Sequence, residues 1–257
     1  AHIEPYVEKI KNPDARASVQ KTIQTWNNNK QNPTRNFYYR SNRYHTAEAP
    51  NPGHDFPVPT FKKHPDFFSM MKLDASIASD NAGAGYDPGH GVLMLRLTDR
   101  DLNFVEALSA MHEVTHKNQH SAAIGKSNRH AENHSRYTGP IFDNKSDTDE
   151  NMNGILEEEC EAWSNMLELL FARIGFGSHN AETVAQTLGL DETDNALLHN
   201  VYDLLILSKA YFDGGGRKDS TYPPAFVDAI KEKYLRLNCN LFVLDAEGFP
   251  VPYQANT

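Results

Sequence analysis

The sequence predicts an α+β fold, with a small sheet in the N-terminal half and a mostly helical remainder. Three stretches predict it. Val92-Leu-Met-Leu-Arg-Leu97 is apolar almost throughout and follows turn formers, the pattern of a short strand buried on both faces. Asp101 to Ala122 reads as an amphipathic helix, and Thr98-Asp-Arg-Asp101 has the spacing of a helix start with Thr98 as N-cap. Ile155 to Ile174 carries Leu156, Cys160, Trp163, Leu167 and Leu170 in one helical stripe. These elements divide a single domain of 257 residues into an N-terminal lobe (1–122), a polar loop (123–152) and a helical C-terminal lobe (153–257).

Taken in order, Ile3 to Lys30 reads as one helix, with Val7, Ile10, Ala15, Val19, Ile23 and Trp26 at helical spacing. Asn27-Asn-Asn-Lys-Gln-Asn-Pro33 ends it with turn formers. Phe37-Tyr-Tyr39 and Tyr44 predict a short aromatic strand or a packed loop. Residues 47–65, rich in proline without a period, read as an irregular surface excursion. Phe67-Phe68 and Met70-Met71 open a more apolar stretch that runs to Ala78. Asn81–Gly85 and Tyr86–Gly91 read as two turns leading into the strand. Beyond the second long helix, Glu182–Leu188 is a short helix and Asn195–Phe212 a long apolar one. Gly214-Gly-Gly216 breaks the chain before a last helix, Pro224–Leu237. A hairpin of Leu241-Phe-Val-Leu244 and Phe249-Pro-Val251 closes it.

Charge and composition limit the partners. A net charge of −9 without a basic stripe disfavours nucleic acid. No apolar run approaches the ~20 residues of a membrane span. The glycine-rich turns match no phosphate-binding fingerprint. Nothing reads as a signal peptide, and two cysteines, Cys160 and Cys239, either pair or stay free without fixing a compartment.

The chemistry sits in the first long helix, at His112-Glu113-Val-Thr-His116. Residues four apart on a helix share a face about 6 Å apart, so both imidazoles can reach one ion at the ~2.0–2.1 Å of a zinc–nitrogen bond. Glu113 then flanks a water on that ion and can take its proton. Leu102, Val105 and Leu108 make the upstream face apolar, which excludes water and strengthens the field of a bound ion. His120 continues the row but stands ~12 Å along the axis from His112, too far to share the ion.

A catalytic zinc takes three protein ligands and keeps one position open. On the wheel of Ile155–Ile174, Glu159 lies at the edge of the apolar stripe, while Glu157, Glu158 and Glu161 point further out. A carboxylate turned toward the core needs a partner, because burying it alone costs several kcal/mol. Zinc is one such partner and arginine is the other.

The metzincin pattern HExxHxxGxxH is excluded, because Gln119 and Ala122 stand where it has glycine and histidine. The remaining pattern resembles the gluzincin branch of zinc metallopeptidases, whose third ligand is a glutamate on a later helix in Glu-x-x-Ala-(Asp/Asn). Glu159-Cys-Glu-Ala162-Trp163 is similar to that signature, with Trp163 where the family has an Asp or Asn orienting the first histidine. The resemblance covers residues 84–170. It implies a zincin-like fold with zinc held by His112, His116 and Glu159, or by Glu158 if the register slips by one. It further implies Glu113 as general base and hydrolysis of a peptide bond in a protein or peptide substrate. The Val92–Leu97 strand and the turn before it resemble the zincin edge strand that pairs with substrate backbone.

A transition-state stabiliser is expected among Tyr137, His199 and Tyr202, and His130 and His134 on the polar loop are further candidates to reach substrate. No separate feature for capturing a substrate terminus is legible, which favours an endopeptidase. The rival expectation is a zincin-like metal-binding or interaction protein without turnover, kept open by Trp163 and Lys117.

Overall fold

In chain order the elements are α1 (Glu4–Val7), α2 (Pro13–Gln31), β1 (Ala84–Asp87), β2 (Val92–Leu95), α3 (Phe104–Gly125) and α4 (Asp149–Ile174). They continue with α5 (Ala181–Leu188), α6 (Asn195–Asp213), α7 (Pro224–Leu235), β3 (Phe242–Leu244) and β4 (Pro250–Pro252). The structure is a computed structural model that describes residues 3–31, 84–87, 92–95, 103–125, 149–191, 195–235 and 240–254. It is mostly helical with two small antiparallel sheets, β1–β2 and β3–β4, which agrees coarsely with the α+β expectation.

α3 and α4 pack along one another, α2 lies on both, and α6 and α7 pack on α4 and on each other. The predicted stripe of α4 is inside: Leu156, Cys160, Trp163, Leu167 and Leu170 are all buried. Phe104, Val105, Leu108 and Met111 of α3 and Leu197, Val201, Leu204 and Leu207 of α6 join it in one apolar cluster. Cys160 is a free thiol in this core, its pKa pushed up to about 12 by burial, with Glu159 and Glu157 adding. Cys239 lies outside the described residues. Among the described residues no helix is long and apolar enough to cross a membrane.

Capping chemistry moves several boundaries from where periodicity put them. The Ile3–Lys30 segment is two helices, because Asn12 caps a new start: its Oδ1 accepts from the N–H groups of Asp14 (3.1 Å) and Ala15 (3.0 Å). Pro13 takes the first helical position, where its missing N–H has no intrahelical partner to lose. α3 starts at Phe104, behind a reciprocal cap. The Glu106 N–H donates to Asn103 Oδ1 at 2.8 Å, and the Asn103 N–H donates to Glu106 Oε2 at 2.7 Å. Asn103 therefore caps the helix; the expected cap, Thr98, lies outside the described residues.

The first sheet also corrects a reading. Gly85 and Tyr86, expected in turns, are in β1, paired with Met94 and Leu93 of β2. Both strands contact α3. β3 and β4 pair as expected, Phe242 opposite Pro252 and Leu244 opposite Pro250, and lie against α6. The readings at Phe37–Tyr39, Tyr44, 47–65, 67–78 and most of the polar loop fall outside the described residues.

One buried carboxyl is a load on this core. Glu168 of α4 is only 5% exposed. It accepts a hydrogen bond from the Tyr211 hydroxyl at 3.0 Å, and burial pushes its pKa up to about 7. A carboxyl raised above its unfolded value destabilises the fold only once it ionises. The penalty is absent below the unfolded value of 4.5 and complete above about 7. Glu168→Gln keeps an acceptor for Tyr211 and removes the charge. It should stabilise the protein by roughly 2–4 kcal/mol at pH 8.5 and by almost nothing at pH 4.5, read by denaturant unfolding at both. An equal effect at the two pH values would mean that the carboxyl is solvated.

Candidate metal centre

α3 and α4 meet with three donor groups between them. His112 Nε2 and His116 Nε2 are 3.1 Å apart. Glu159 turns one oxygen to each ring: Oε2 is 3.3 Å from His112 Nε2, and Oε1 is 3.3 Å from His116 Nε2. A tetrahedral ion with bonds of about 2.0–2.2 Å separates its ligands by roughly 3.3–3.6 Å. The two nitrogens, and each nitrogen with its nearer Glu159 oxygen, stand close to that spacing. One atom from each of the three residues lies within 4.8 Å of the others, and the group could hold a metal ion. Among the described residues no other group of His, Cys, Asp or Glu converges in this way. Both histidines are buried, and the Glu159 side chain is 13% exposed.

The charges of His116 and Glu159 act on each other more strongly than burial opposes them. Burial pulls the His116 pKa down, but the Glu159 carboxylate outweighs it, with Glu113 and Glu158 adding, and the result is about 10. Burial likewise opposes the charge on Glu159. The His116 charge and hydrogen bonds from both rings prevail and hold it well below the usual carboxylate range. Glu159 thus favours the proton on His116, and His116 favours the charge of Glu159. The His116 contribution to stability is complete below pH 6.5 and lost as pH rises through about 10; that of Glu159 is lost as pH falls below 4.5.

A ligand imidazole must be neutral, so an arriving ion displaces that proton. At pH 8, binding of zinc should release about one proton or more per ion, read from the buffer-ionisation dependence of the calorimetric heat. No release would mean that His116 is already neutral.

Glu113 follows His112 on α3 and is half-buried. Desolvation raises its pKa most, the two imidazoles lower it, Glu159 raises it, and the net shift is upward. A carboxylate so shifted is a stronger base once ionised.

The two imidazoles are supported differently. His116 Nδ1 lies 2.9 Å from Gln119 Oε1, one turn on along α3. His112 Nδ1 is buried without a hydrogen-bond partner among the described residues, and its ring meets the Trp163 ring edge-on at 5.3 Å. Trp163 thus packs against the first histidine where a carboxylate or amide was the alternative. Among the described residues, this packing is what meets the ring apart from the contacts of its Nε2.

Glu159, at the edge of the α4 stripe, is the carboxylate brought to the histidines. Glu157 is exposed as expected, but two outward readings fail. Glu158 is 8% exposed. Glu161 is half-buried and accepts from the Ser18 hydroxyl at 2.8 Å, Gln119 Nε2 at 2.9 Å and Arg217 at 3.2 Å. α2, α3 and the 214–219 turn cover faces of α4 that its own periodicity leaves to solvent. Of the expected stabilisers, Tyr137 lies outside the described residues, as do the loop histidines His130 and His134, while His120 falls on α3. His199 and Tyr202 lie on α6 against the Phe242 ring, at 5.5 and 5.1 Å, and burial pushes the Tyr202 pKa up. Among the described residues no contact joins either to the three donors. Sequence reasoning missed Gln119 and Glu161, and the available signal was Gln119 standing one turn after His116.

Compared with protein-family models, with curated proteins and with solved structures, the chain matches none of them.

Proposed function

We propose that this chain is a zinc-dependent endopeptidase with a zincin-like arrangement, in which His112, His116 and Glu159 hold the ion and Glu113 is the general base. The observation that carries the reading is the convergence of three donor groups, two imidazole nitrogens 3.1 Å apart and each 3.3 Å from one oxygen of Glu159, beside a carboxyl of raised pKa. Zinc, when bound, would acidify the attacking water and polarise the scissile carbonyl. Glu113 accepts the proton of that water and delivers it to the departing amine nitrogen. Val105, Leu108 and Met111, upstream on the same helix, are buried in the apolar core, which keeps water from that part of α3. The α3-side hairpin β1–β2 is the edge on which an extended substrate would pair its backbone.

One observation favours a second reading, a zincin-like protein that binds metal without turnover. With no partner for its Nδ1 among the described residues, His112 would be a less basic and less firmly aimed ligand than a carboxylate-backed one. A single experiment separates the two: the zinc-loaded protein is incubated with a broad peptide pool, beside Glu113→Gln and a chelated sample. The proposal predicts cleavage by the loaded wild type alone. Stoichiometric zinc with an uncut pool would favour the second reading.

A further inference from the structure

The polar chain behind His116 runs further than one hydrogen bond. Gln119 Nε2 faces two acceptors, the Glu158 backbone carbonyl at 3.0 Å and Glu161 Oε2 at 2.9 Å. Flipping this amide would aim its oxygen at both of them, so the environment fixes the amide with Oε1 toward His116 Nδ1. Glu161 is fixed in turn. Its other oxygen accepts from the Ser18 hydroxyl and from Arg217 Nη1, and Asn165 Nδ2 donates to the same Ser18 Oγ at 3.0 Å. Arg217 is anchored by its Nε–H to the Asp219 carbonyl at 2.7 Å and by the Tyr222 ring, 5.8 Å from its guanidinium.

We propose that Gln119, Glu161 and Arg217 form a positioning relay for His116, an assignment that rests on His112, His116 and Glu159 holding the ion. An imidazole that ligates through Nε2 carries its proton on Nδ1 and needs an acceptor there. Gln119 supplies the acceptor, Glu161 holds the Gln119 amide, and Arg217 with Ser18 holds Glu161. The relay reaches from the 214–219 turn through α4 to α3, so it ties the second histidine to two separate parts of the chain. His112 has no counterpart among the described residues. Among the described residues the two Nδ1 atoms are therefore supported unequally, that of His116 by a hydrogen bond and that of His112 by no partner, its ring packing against Trp163.

The test measures zinc affinity by chelator competition and the visible absorption of the cobalt-substituted full-length protein. Gln119→Leu should weaken zinc binding by about 10–100-fold and shift the cobalt bands, as loss of an outer support does. Gln119→Glu alone should also weaken it, because two carboxylates then face each other. The exchange Gln119→Glu with Glu161→Gln restores the donor–acceptor pair between 119 and 161 and puts a carboxylate on His116, but leaves that carboxylate against the Glu158 carbonyl, so affinity should recover part of what Gln119→Glu alone loses. Asn118→Ala, on the same helix turn but bonded to Thr25, should leave both readouts unchanged. Circular dichroism of each metal-free variant checks that it is folded. Wild-type affinity and spectrum in a folded Gln119→Leu protein would overturn the relay while leaving the metal site standing. Failure of the exchanged pair to recover would also overturn it. A wild type that binds neither ion would overturn the metal centre itself, and the relay with it.

Discussion

Replacing Glu159 with alanine should weaken zinc binding by more than about 100-fold, beyond the 10–100-fold typical of losing an outer support. The loss has two parts. One of three donors disappears, and the counter-charge that makes the pocket attractive to a cation goes with it. The second part is visible without metal. Glu159 is what lifts His116 to a pKa of about 10 against the pull of burial, so in the variant that value should fall by several units toward or below 6.5, read by NMR of the imidazole. Glu157→Ala is the control, since that side chain is exposed and outside the cluster. An His116 pKa unchanged in Glu159→Ala would remove the electrostatic basis of the site.

Glu113→Gln should fail in the opposite way. The amide keeps the shape of the side chain and cannot take a proton, so zinc stays bound near one equivalent while peptide hydrolysis drops by roughly 10²–10⁴-fold. Glu113 donates no atom to the trio of ligands, and its raised pKa comes chiefly from desolvation. A variant that loses zinc would make Glu113 a ligand and displace Glu159 from that role. One that keeps full activity would move the proton transfer to another group.

The centre of the site is legible in the sequence because helical periodicity decides which residues share a face. Four-residue spacing puts His112 and His116 together, and the wheel of the second long helix turns Glu159 to the edge of its stripe. Element boundaries are less legible, because several residues compete to cap a helix. Asn12 and Asn103 win through hydrogen bonds that the spacing of apolar residues does not encode. Gly85 and Tyr86 read as turn formers, yet they pair in β1 because cross-strand partners at Met94 and Leu93 decide their state. Glu158 and Glu161 fail for a third reason. A wheel describes one helix, while burial of α4 depends on α2, α3 and a distant turn that carries Arg217. Gln119 reads from the sequence only as the absence of a glycine, although its place one turn after His116 is what brings its amide to that ring.

The most direct test of the metal centre is anomalous diffraction from crystals of the wild-type chain loaded with zinc. The predicted result is one peak bonded to His112 Nε2, His116 Nε2 and a Glu159 carboxylate oxygen, at about 2.0–2.2 Å from each. A peak on any other set of residues, or zinc-loaded crystals with no peak between α3 and α4, would contradict it.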